Sequence, residues 1–198
     1  MLQDEAGLMQ FYTEASGYCI ENFKDEIEWA RKIKFEDTTA ERFFTEYVWT
    51  VLCSGFKTSI AQKIMKKAFV NGFHPELIGN QRKRKAVEQG FGEFPIWFDK
   101  LKTLPEDKRI DYLDSLPYIG PITRYHFARN IGLDYSKPDV HLKRLAERFG
   151  FEDVHKMCGL IAAKTNERIG VVDLILWRYS ERGQPQREAL VQENHEAL

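Results

Sequence analysis

Residues 116–150 read LPYIGPITRYHFARNIGLDYSKPDVHLKRLAERFG. Two short helices are predicted to meet at the turn Pro117-Tyr118-Ile119-Gly120-Pro121. Pro117 stiffens this turn, and Gly120 lets the backbone approach a partner closely. Pro121, Ile122 and Thr123 then open a helix whose first N–H groups lack intrahelical acceptors. The positive end of that helix dipole points to the same place. Such a turn suits an anion, a phosphate above all, although an ordinary helix–helix turn reads the same way. Nineteen residues beyond Gly120, Asp139 stands where the next helix begins. Its commonest role there is a plain N-cap. At a fixed chain distance from a phosphate grip it is also a candidate for chemistry on a nucleotide.

Helical patterns continue on both sides of this stretch. Upstream, Leu8, Phe11, Tyr12, Ala15 and Cys19 recur at helical spacing, and a second run continues through Phe23, Ile27 and Ala30. Thr38-Thr39-Ala40-Glu41 reads as a capping box before Phe43, Phe44, Tyr47, Val48, Val51 and Leu52. Gly55 ends that helix. Thr58 or Ser59 caps the next, which carries Ile60, Ile64, Met65, Ala68 and Phe69 and stops at Asn71-Gly72. A short polar helix is predicted over Gln81–Gln89, and a separate one opening at Phe94-Pro95. Another starts at Pro105 and carries Ile110, Leu113 and Leu116. Downstream, Asp139 caps a helix with Leu142, Leu145, Ala146 and Phe149, and two more follow near residues 154–164 and 171–180. Alternating segments bounded by hairpin-turn dipeptides are missing. The tail from Arg182 is polar and reads as frayed or loosely helical. The fold class is all-α.

The chain has 198 residues, enough for one domain or two small lobes with a sizeable core. Its formal net charge of −1 argues against a broadly basic nucleic-acid coat but leaves local patches open. The basic runs at Gln81–Lys85 (QRKRK) and Lys63–Lys67 (KIMKK) read as solvated helix faces. Cys19, Cys53 and Cys158 are too far apart for a zinc or iron–sulfur pattern and read as reduced core residues. The first residues show neither a signal peptide nor a membrane span.

The constellation resembles the helix-hairpin-helix superfamily of DNA glycosylases. That family carries L-P-G-x-G, a helix, a loop, and a catalytic Asp that opens the next helix. The matching residues are Leu116-Pro117-Tyr118-Ile119-Gly120, the helix ending at Gly132, the loop Leu133–Pro138, and Asp139. Leu142-Lys143-Arg144, Arg148-Phe149-Gly150 and Val172-Asp173-Leu174-Ile175-Leu176-Trp177 are also similar, so the resemblance spans roughly residues 38 to 180. It implies two helical lobes: a central lobe of residues 40–133 ending in the hairpin helices, and a second lobe of residues 1–39 with 134–198. DNA would bind at the cleft between them.

The resemblance also implies an activity and its residues. A flipped base is cut from its sugar through an oxocarbenium-like state. Asp139 stabilises the developing charge and orients or deprotonates a water. Tyr118, Ile119, Gly120, Ile122, Thr123 and Arg124 would touch DNA at the hairpin. Phe56 takes the position of the family's wedge, with Lys57 beside it and Arg144 and Lys143 as further phosphate contacts. His126 and His141 read as structural. Asn22, Phe23, Glu26, Trp29, Tyr47 and Ile122 would line the base pocket. Bifunctional relatives carry a nucleophilic Lys where this chain has Ile122, so a monofunctional enzyme without lyase activity is implied. The usual first hairpin Gly is Tyr118. The four-cysteine cluster of the endonuclease III branch is missing, so no iron–sulfur centre is expected.

No side-chain metal site and no required cofactor are implied. A structural monovalent cation on the backbone carbonyls of Leu116 and Tyr118 is. The implied partner is double-stranded DNA bearing a damaged or modified base, handled by a monomer without membrane contact in the cytoplasm, at the nucleoid, or in the nucleus. Both base-excision repair and removal of modified bases from foreign or phage DNA fit. A non-catalytic helix-hairpin-helix module that only grips phosphate is the alternative.

Overall fold

The computed structural model describes residues 3–181. Among them there are ten α-helices and no strand: α1 Glu5–Asn22, α2 Lys24–Lys32, α3 Ala40–Cys53, α4 Thr58–Ala68, α5 Gln81–Thr103, α6 Glu106–Asp114, α7 Thr123–Asn130, α8 Val140–Arg148, α9 Val154–Thr165 and α10 Ile169–Glu181. Single 3₁₀ turns lie at Phe35–Asp37 and Pro75–Leu77. The all-α class read from the periodicity is the class observed. The tail from Arg182 lies outside the described residues.

The chain divides into two compact units. One is Ile33–Leu133; the other combines residues up to Lys32 with those from Asp134 onward. In the first unit α3 is the central helix and packs on α4, α5 and α7, while α6 packs on α7. Its buried positions Phe43, Phe44, Tyr47, Val48, Val51 and Leu52 form one stripe at helical spacing. Phe43 meets Phe127 and Phe98 at ring-centroid distances of 4.9 and 5.4 Å, so the stripe is filled largely by aromatic contact. In the second unit α10 is the central helix, touching α1, α2, α8 and α9. It is buried from Gly170 through Leu176, which explains a sequence that is apolar apart from Asp173.

The structure corrects three expectations. The lobe boundary at residue 40 moves back to Ile33, because the Phe35 segment belongs to the α3 unit. Phe35 packs edge-on against Phe98, and the Thr38 hydroxyl donates to the Ile131 carbonyl (3.0 Å). With Thr38 so engaged, Thr39 is the N-cap of α3 and accepts from the Arg42 N–H at 3.2 Å. Lys57, without a side-chain bond, takes the N-cap place expected of Thr58 or Ser59. Finally, the two helices predicted over 81–101 are one. Pro95 lies inside α5 and removes one ladder bond. The burial of Ala86, Val87, Gly90, Trp97, Phe98 and Leu101 along a continuous face outweighs that loss.

Gly132 closes the α7 end at φ +91°, and a Cβ there would lie 2.4 Å from the backbone of Lys34 and Phe35. Gly132→Ala therefore meets both a left-handed backbone and rigid main chain. It is expected to destabilise the protein by roughly 2–4 kcal/mol, read as a lowered urea midpoint at unchanged slope. A midpoint equal to wild type would contradict this packing.

Candidate functional site

The hairpin turn is built inside the Ile33–Leu133 unit. Tyr47, fully buried on α3, shares its hydroxyl proton between the carbonyls of Pro117 (2.7 Å) and Ala86 (3.1 Å). Gly90 makes room for the ring, since a Cβ at that position would lie 2.5 Å from it. Burial pushes the phenol well above its ordinary pKa, so it stays a donor. Tyr47 is thus a strut beneath the turn and does not line an open pocket as expected.

Tyr118 sits at φ +64° where the sequence pattern had wanted glycine, and its side chain is 39% exposed. Beyond it, the Thr123 hydroxyl accepts from the Gly120 N–H at 2.8 Å. That donor, expected to face a phosphate, is already occupied. The N–H groups of Ile122 and Thr123 have no acceptor among the described residues. Tyr118, Ile119, Gly120, Ile122 and Thr123 line one groove of about 420 Å³ together with Ser54. Arg124 is spent elsewhere: its guanidinium pairs with Asp111 (3.2 Å) and Asp114 (3.6 Å), clamping α7 to α6. It is not a free phosphate contact.

The loop after α3 adjoins this turn through a residue the sequence reading placed in solvent. Lys83 is 2% exposed. Its ammonium donates to the carbonyls of Val51 (2.6 Å), Leu52 (3.2 Å) and Ser54, capping the negative end of α3. The same Nζ lies over the rings of Phe56 (4.3 Å) and Tyr118 (5.2 Å). Desolvation pulls its pKa below the ordinary lysine value. The signal that could have found it is spacing: Lys83, Ala86, Val87 and Gly90 share one helical face, all buried. Phe56 is half-buried and Lys57 exposed.

Asp139 belongs to the other unit. It is half-buried at the N-cap of α8, and its Oδ1 accepts from the N–H groups of His141 (3.0 Å) and Leu142 (3.1 Å). Its Oδ2 has no hydrogen-bond partner among the described residues. The approach to Asp139 is pinned by residues to which sequence reading gave no role. Asp134 caps α10 by accepting from Ile169 and Gly170. The Ser136 hydroxyl lies 3.3 Å from His155 Nδ1, and Tyr135 stacks on that imidazole. Asp173, 1% exposed, accepts from the Lys137 N–H at 2.7 Å. An acid inside the apolar run Val171–Leu176 was the available clue to Asp173.

Of the expected pocket residues, Asn22, Phe23, Glu26 and Trp29 belong to the Asp139 unit. Glu26 forms a two-point ion pair with Arg178 (2.8 and 3.0 Å), whose guanidinium also covers Phe23. Asn22 bonds back to the Tyr18 carbonyl. Trp29 is 42% exposed, and so is a large part of Ile122 in the hairpin unit. Arg144 and Lys143 are exposed on α8. The described residues contain no cluster of three or more potential metal ligands, and no helix among them is long and apolar enough to cross a membrane.

Two crystal structures share this architecture over most of their length. One is the 8-oxoguanine DNA glycosylase of Thermotoga maritima: TM-score 0.66, 20% identity, covering 86% of this chain and 95% of that one. The other is the 8-oxoguanine DNA glycosylase of Methanocaldococcus jannaschii: TM-score 0.67, 18% identity, covering 85% and 92%. The fold is that of these 8-oxoguanine DNA glycosylases. No protein-family model and no curated protein matches the sequence. The likeness therefore lies in the path of the helices, which is where the turn and the capped carboxylate are set.

The Tyr47 strut gives a direct test. Tyr47→Phe strips the bond from the Pro117 carbonyl without changing the ring. It is expected to lower stability by about 1–2 kcal/mol and to speed amide exchange at residues 118–120. Exchange unchanged at the turn would show that the strut does not hold it.

Proposed function

We propose that this chain is a monofunctional DNA glycosylase that hydrolyses the N-glycosidic bond of a damaged or modified base and leaves an abasic site. The observation that carries the reading is Asp139. One carboxylate oxygen is held by two backbone N–H groups at a helix start, and the other has no partner among the described residues. A plain N-cap needs only the first. Just upstream, the Lys137 N–H donates to Asp173 and Asp134 accepts from the start of α10, which ties down the segment that leads to Asp139. In its ionised form Asp139 stabilises the positive charge that develops on the sugar as the base departs with the C1′–N bonding electrons, and orients a water for attack at C1′.

The fold shared with two proteins named 8-oxoguanine DNA glycosylases supports DNA as the partner and makes 8-oxoguanine the first base to test. The N–H groups of Ile122 and Thr123, without an acceptor among the described residues, suit a backbone phosphate. Ile122 has no amine, so the hairpin offers no Schiff-base nucleophile. The structural cation implied by the hairpin pattern fits these residues. The Leu116 carbonyl accepts one bond, from Ile119 at 3.1 Å, which leaves a lone pair, and the Tyr118 carbonyl accepts none among the described residues. Such a cation would add positive charge beside the phosphate.

Asp139→Asn isolates the charge, because Asn caps a helix about as well as Asp. It is expected to keep the wild-type melting temperature and duplex affinity within a few-fold. Base release from duplexes carrying 8-oxoguanine, alkylated, deaminated or otherwise modified bases should fall by roughly 10²–10⁴-fold. The strand left abasic should need alkali to break. Full base release by the variant would overturn the role of Asp139, and borohydride trapping of wild type on DNA would overturn the monofunctional assignment. Salt-dependent duplex binding without release from any substrate would instead support the non-catalytic module.

A further inference from the structure

Three features of the hairpin unit converge on one face. Phe56, from the loop after α3, and Tyr118, from the turn before α7, each present a ring to the buried Lys83 ammonium. Tyr118 and Ser54, which supplies one of the three carbonyls on that ammonium, both line the groove of the hairpin turn. Tyr118 also holds a left-handed backbone, φ +64°, that glycine would hold without strain. Its side chain therefore does not serve the turn, and nearly two-fifths of the residue is exposed. The ring faces a groove and is backed by a positive charge.

We propose that Lys83 is a positioning residue that holds Phe56 and Tyr118 together as a stacking surface for an unstacked nucleobase. The proposal rests on the reading of this chain as a DNA-binding glycosylase. An aromatic ring accepts any base face, and the gain per base is large. An ammonium on one face of each ring draws π density toward itself, which leaves the opposite face better suited to an electron-rich base. Two rings on separate loops would ordinarily move independently. One cation bonded to three carbonyls and touching both rings makes their positions depend on each other. The surface is suited to the base left without a partner when its neighbour leaves the helix.

The test compares affinity, by fluorescence anisotropy, for a duplex carrying a tetrahydrofuran abasic analogue and for the matched intact duplex. Wild type is expected to prefer the abasic duplex. Tyr118→Gly and Phe56→Ala should each cut that preference, the ratio of the two affinities, about tenfold. Tyr118→Gly should also melt no lower than wild type, since it relieves the turn; a purely structural tyrosine would do the reverse. Lys83→Met should cut the preference likewise, and adding Phe56→Ala to it should cause little further loss. If Lys83→Met does not fold, the coupling between Phe56→Ala and Tyr118→Gly is measured in its place, less-than-additive losses supporting one surface.

An undiminished preference in Tyr118→Gly, additive losses, or no abasic preference in wild type overturns the stacking surface. Base release is scored separately on the same wild-type protein. Release without abasic preference sinks the surface alone, and a preference lost in Tyr118→Gly with no release from any substrate sinks the catalytic reading alone.

Discussion

An ammonium group buried in a small helical lobe must find acceptors or lose its charge. Lys83 finds three, all at the end of α3, where helix geometry leaves carbonyls without amide partners. One interaction therefore meets two needs: the charge is solvated by protein, and the negative end of the α3 dipole is capped. It also ties α5 to the end of α3, in a register where the Ala86 carbonyl and Gly90 meet Tyr47. From there the order passes to the hairpin, because the Tyr47 hydroxyl holds the Pro117 carbonyl.

The other unit solves a similar problem with opposite charges. Asp134 and Asp173 are acids whose oxygens accept backbone N–H groups on either side of a short loop. Asp173 is buried, and its carboxylate is tolerated there because its bond to the Lys137 N–H is made, whereas Asp134 is partly exposed. The result is a stiff approach to Asp139, on a segment without regular structure. Loops that carry chemistry need such supports, since their own backbone bonds do not fix them.

Much of this was legible in the sequence. The apolar spacing of α3 and α8, the cap at Asp139 and the stop at Gly132 follow from local rules that act within a few residues. Other features were not. Pro95 reads as a helix start, and only the packed face of α5 carries the helix through it. Lys83 sits in a run of basic residues that local rules assign to solvent. Arg124 looks free until Asp111 and Asp114 come beside it. Thr123 looks like a plain first-turn residue until its hydroxyl takes the Gly120 N–H. In each case the deciding partner is set by packing, or by a turn geometry that residue type alone does not specify.

The sequence by itself determined the helical class, most helix positions, the hairpin turn and the carboxylate that opens α8. These depend on periodicity, capping and turn chemistry, which residue order states directly. Only the tertiary structure decided which polar groups are spent inside the protein and which remain for a ligand. A side chain's hydrogen bonds and desolvation depend on neighbours 30 to 70 residues away, as for Lys83 with Val51 and Tyr47 with Pro117, and no local pattern encodes those meetings.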